Sequence, residues 1–246
     1  MFVKKLKSVF SPQIASLSLS ATIFVLLLGL LSSSRLWLWV VAYVGYALYV
    51  YVRYIQRAKT GAGGTFLFFF GAAFLIARTL QIEYVGIPIF LFLGALLFFF
   101  LGSFTLHVAN PKLASSTFYY FFIFVFFATV LRSAAFPISW WRLALLFIFL
   151  WVVIGDYIRF LSDGFDARKR IFVLIIALLG TQVGWVASFL SLGFLHAASL
   201  TLVFVITAMD LVVHFFSGTL NVHTLKKDLI FFGGFSLLIL FLPLVF

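Results

Sequence analysis

Six carboxylates are all that this 246-residue chain offers for proton transfer or ion coordination beside its four histidines: Glu83, Asp156, Asp163, Asp166, Asp210 and Asp228. Two of them, Asp156 and Asp210, fall inside long apolar runs. An ionised group there costs ~2.5–3.5 kcal/mol even on lenient insertion scales, so it faces a bundle interior and takes a partner. Arg159 follows Asp156 by one helical turn, and His214 follows Asp210 by one turn. Each pair therefore shares a helix face. One reading is a proton- or cation-linked site open to one side of a membrane. The simpler one is two pairs satisfied locally near helix ends.

Gln182 sits beside Thr181 in the middle of another apolar run. A buried amide there is expected to bond across helices. Arg78, Arg132 and Arg142, with Glu83, fall at the opposite ends of the runs from most of the cations. They read as interfacial anchors, since long basic side chains reach for the headgroups. A sharper reading makes them an outward-facing site for an anionic headgroup.

The histidines are His107, His196, His214 and His223. Bis-histidine haem needs two at matched depth on facing helices, which leaves only His107 and His214 to consider. No H-E-x-x-H spacing occurs. No Cys is present, which excludes disulfides, thiol catalysis and thiolate-held metal or iron–sulfur centres. No Lys lies inside an apolar run, which excludes a retinal Schiff base. No catalytic, cofactor or metal residue is expected.

Asp163-Gly164-Phe165-Asp166-Ala167-Arg168 resembles the D-G-x-x-A-R core of the CDP-alcohol phosphotransferases. That family holds two divalent ions with several aspartates beside a cytidine diphosphate. Its pattern asks for further aspartates where Phe160, Gly184 and Ser188 stand. Without them the ions have no carboxylate cage. The resemblance covers six residues and implies no site here. The stretch reads as a charged loop with Asp163-Gly164 as its turn.

The elements that position these groups follow from composition. Hydrophobic residues are 65% of the chain and charged residues 9%, against about 25% charged in soluble domains. Such a chain cannot clothe a water-soluble body, so a polytopic membrane protein is expected. The runs are continuous and about twice the length of barrel strands, which selects helices. Nine spans are expected, near 13–31, 36–54, 65–80, 87–106, 117–132, 141–160, 171–190, 194–216 and 229–246. Eight is the rival, with 191–194 as a kink. The basic N-terminus and the run after it imitate a signal peptide but are read as the first span.

The net charge of +11 is spread in short clusters between runs, with no basic face left for nucleic acid. It reads instead as a topology signal. Thirteen Lys and Arg fall on one side of a nine-helix layout and four on the other, and every Lys is on the first side. This predicts a cytoplasmic N-terminus and an external C-terminus in a prokaryotic inner membrane.

Residues 1–246 read as a single integral membrane domain with two repeats, 35–132 and 140–246. Arg35-Leu36-Trp37-Leu38 resembles Arg142-Leu143-Ala144-Leu145, and Tyr51-Val52-Arg53 resembles Tyr157-Ile158-Arg159. Helices two to five would then match six to nine in the same orientation.

Three functional classes follow. Sparse polar content favours a non-catalytic membrane component or accessory subunit of a larger complex. The alternative is a carrier for a lipid-like or small amphipathic solute, with Asp156 and Asp210 as coupling groups. The third is a lipid-modifying enzyme. Membrane lipids and other membrane proteins are the expected partners.

Overall fold

The computed structural model describes residues 12–33, 36–56, 62–79, 86–105, 111–132, 140–161, 165–190 and 193–241, with backbone alone at 79, 103–105, 111–115 and 132. Among these residues the chain is helical throughout and has no strand. The helices are α1 (Pro12–Ser33), α2 (Trp37–Val50, wound on as a π turn over Tyr51–Gln56), α3 (Gly63–Thr79), α4 (Gly86–Thr105), α5 (Pro111–Arg132), α6 (Trp140–Leu161), α7 (Ala167–Phe189), α8 (Phe194–Phe216) and α9 (Val222–Phe241). Two helices stand around this point rather than one: α7 ends before Leu190, whose backbone is extended, and α8 starts afresh after Gly193.

Several helices begin ahead of their apolar runs, and local capping explains it. The Asp166 side chain accepts from the Lys169 N–H at 2.9 Å and caps α7. Asn221 accepts from the N–H and the hydroxyl of Thr224, starting α9 in polar sequence. Pro111 opens α5, where a missing N–H costs nothing. Gly218 closes α8 with a positive φ of 67°, which suits glycine alone.

Five helices are long and apolar enough to cross a membrane: α1, α2 with its π turn, α6, α7 and α8. The chain is by this measure a membrane protein. In α3, α4 and α5 the apolar stretches of described residues are shorter, at Gly63–Arg78, Gly86–Gly102 and Ser116–Leu131. In α9 Lys226, Lys227 and Asp228 occupy the first turns.

Packing points the same way. On α7 the small residues Ala177, Gly180, Thr181, Gly184 and Ala187 face inward, while Leu174, Leu178, Leu179 and Val186 are exposed. Water would bury the leucines. Lipid solvates them as well as a core does, so close backbone approach decides which face turns in.

The chain divides into two compact units, Met1–Phe118 and Tyr119–Phe246. In the first, Phe24 of α1 is fully buried among Tyr43 of α2 and Phe69 and Phe70 of α3, with ring centroids 5.2–6.2 Å apart. The Tyr43 hydroxyl donates to the Phe70 carbonyl at 2.7 Å. A Cβ on Gly94 of α4 would collide with the Val25 side chain of α1, so glycine sets that crossing. In the second unit, Phe126 of α5 stacks on Phe149 of α6 at 3.7 Å. Gly180 lies against Leu150 of α6 and Val205 of α8, and Gly184 against Phe127 of α5.

Candidate functional site

The polar centre of the second unit joins three helices. Tyr120 comes from α5, Tyr157 from the last turns of α6, and Asp210 from the second half of α8. The Tyr120 hydroxyl donates to Asp210 Oδ1 at 3.2 Å and lies 3.2 Å from the Tyr157 hydroxyl. A phenol has one proton to give, and an ionised carboxylate only accepts. Tyr120 therefore gives its proton to Asp210, and Tyr157 donates in turn to Tyr120. The chain is oriented, Tyr157 to Tyr120 to Asp210. Tyr119 packs its ring edge-on to Tyr157 at 5.2 Å, so the phenol ring is held in place.

Asp156 is buried on α6 and pairs with Arg159 one turn on, at 3.9 Å, while the guanidinium is half exposed. The Arg159 guanidinium also covers the Phe165 ring at 4.5 Å. The expected local pair on α6 is thus present. On α8 the bonding runs differently. His214 Nδ1 bonds Thr219 Oγ1 at 2.9 Å in the turn that ends the helix, and Asp210 turns to Tyr120.

Gln182 is exposed. The helix phase that buries Gly180, Thr181 and Gly184 turns residue 182 outward, so it does not join Asp210 or Asp156. The arginines expected at outer helix ends lie beside rings of their own helices. Arg78 is exposed and lies over Phe74 at 5.8 Å. Arg142 lies over Trp141 at 5.0 Å. Glu83, Asp163, His107 and the side chain of Arg132 lie outside the described residues. Comparison with protein-family models, curated proteins and solved structures gave no match to this chain.

The site is therefore read from its own chemistry. Thr181, Thr201 and Thr207 are buried, and each hydroxyl donates to the carbonyl four residues back at 2.8–2.9 Å. Such hydroxyls are spent within their own helices. Among the described residues no group of three His, Asp or Glu side chains could hold a metal ion.

The first unit carries a second polar cluster, which the acidic and basic residues alone did not reveal. Ser16 and Ser20 of α1 meet the Tyr54 hydroxyl at 2.9 and 3.2 Å. Tyr46 donates to the Ser20 carbonyl. Arg53 donates to the Tyr49 hydroxyl and, at 3.2 Å, to Ser16 Oγ. Five of the nine tyrosines in the chain fall between Tyr43 and Tyr54, and that density was the available signal.

Proposed function

We propose that this chain is a non-catalytic, multi-pass membrane component that serves as an accessory subunit or scaffold within a larger assembly. One observation carries the reading. Asp156 and Asp210, the two carboxylates within the expected apolar spans, are already engaged by protein groups, Asp156 by Arg159 and Asp210 by Tyr120. Groups matched within and between helices hold a bundle together and leave little capacity to bind cargo. The back-bonded threonines and the outward Gln182 support the same reading.

In this proposal all nine helices cross an inner membrane of a prokaryotic cell, with the N-terminus inside and the C-terminus outside. The cation count favours that layout. The two four-helix repeats belong to the proposal as well. The test is extraction of the tagged full-length chain into native polymer nanodiscs, followed by native mass spectrometry. A membrane protein companion in fixed stoichiometry is expected. A lone monomer from native membrane contradicts the reading.

A carrier for a lipid-like or amphipathic solute is the second reading, and the oriented Tyr157–Tyr120–Asp210 chain favours it. Replacing Asp156 and Asp210 together by Asn would abolish pH-dependent transport if it holds.

A further inference from the structure

The first unit holds nine Lys and Arg in its sequence and a single acidic residue, Glu83. Glu83 lies outside the described residues and is separated along the chain from the end of α2 by all of α3. Arg53, in the π turn of α2, has no carboxylate among its described partners. Neutral groups hold it instead. Its guanidinium donates to the Tyr49 hydroxyl and to Ser16 Oγ, and its Cζ sits 5.5 Å from the Tyr49 ring and 5.4 Å from the Tyr54 ring. The second ring is fixed in turn by Ser16 and Ser20.

The matching position in the second half shows what is missing. Arg159, aligned with Arg53 in the internal similarity, also lies on an aromatic ring but has Asp156 beside it. Three residues before Arg53 the chain has Val50. Among the described residues, the first unit thus positions a cation as the second does and sets no carboxylate beside it.

We propose that Arg53, with Tyr49 and Tyr54, binds the phosphodiester of an anionic phospholipid. The guanidinium has five donors in a planar fork, and among the described residues two bonds, to Tyr49 and Ser16, use only part of it. The side chain is exposed, so a headgroup can reach it. Tyrosine-rich helix ends belong at headgroup depth in a bilayer, where the phosphate lies. π turns recur at functional sites, and this one, Tyr51–Gln56, carries Arg53 and Tyr54. The proposal rests on the chain being a membrane protein and holds for a scaffold or a carrier alike.

The test uses the full-length protein in detergent, titrated with short-chain phosphatidylglycerol, phosphatidylcholine or inorganic phosphate and read by native mass spectrometry. The wild type is expected to retain phosphatidylglycerol in preference to phosphatidylcholine. Arg53→Gln weakens that retention about fivefold, the worth of one basic residue at an anionic surface. Arg53→Lys keeps the charge without the fork and falls between. Arg159→Gln, whose charge is already balanced, changes it less. Equal retention by wild type and Arg53→Gln overturns the proposal. So does full competition by inorganic phosphate, which would mean a site for a free anion. The unliganded melting temperature of Arg53→Lys distinguishes loss of binding from loss of folding.

Discussion

The phenol of Tyr120 on α5 reaches Asp210 on α8, ninety residues further along the chain, and donates to its carboxylate at 3.2 Å. This contact and the bond to Tyr157 tie three helices at one point. A carboxylate that lost its donor there would be left without its partner from α5.

Tyr120 and Asp210 are therefore coupled. A double-mutant cycle with Tyr120→Phe and Asp210→Asn is expected to give ~0.6–1.7 kcal/mol of interaction, the range for interhelical hydrogen bonds in membranes. Reversible unfolding in mixed detergent measures it. Additive single effects would mean that the bond contributes nothing.

Close approach at α7 depends on the absence of a side chain. A Cβ on Gly184 would lie 2.8 Å from Cε1 of Phe127, a fully buried ring. Gly184→Ala is expected to destabilise by ~1–3 kcal/mol through overpacking. Gly29, with nothing within 4 Å of the same Cβ position, is the control. Gly29→Ala should leave the melting temperature unchanged or raise it.

Phe149 is fully buried and stacks on Phe126, while its neighbour Ile148 is exposed. In lipid, removing an exposed side chain exchanges one apolar contact for another. Removing a buried one leaves a cavity. Phe149→Ala should cost ~1–3 kcal/mol, mainly through that cavity, and Ile148→Ala under ~0.5 kcal/mol. Thermal unfolding in one detergent compares them. Equal costs would mean that the α5–α6 stack is absent.

Helices were legible in the sequence because each is a run of apolar residues, and the eighth span, 194–216, coincides with Phe194–Phe216. Starts were less legible. Hydropathy sees the apolar run alone, whereas Asp166 and Asn221 begin α7 and α9 several residues earlier in polar sequence. Five helices, rather than nine, meet the length and apolarity needed to span a membrane among the described residues.

At the site, the rare carboxylates stood out by their cost in lipid, and Asp156 with Arg159 followed from helical spacing. Tyr120 did not, because nothing local connects it to Asp210. Gln182 looked inward by position along its run, but Gly180 and Gly184 set the face of α7 and turn it outward. That pair of small residues four apart was the signal that predicts the face.

The proposed layout puts a membrane around these helices, with their cation-rich ends inside the cell. These 246 residues contain no Cys, so single cysteines placed in them report without background. Ala167→Cys at the start of α7 and Trp140→Cys at the start of α6, both at exposed positions, mark opposite ends of the bundle. With a membrane-impermeant maleimide on intact spheroplasts, Trp140→Cys is expected to label and Ala167→Cys only after inversion of the vesicles. Labelling of Ala167→Cys from outside, or equal labelling of both in either preparation, contradicts it.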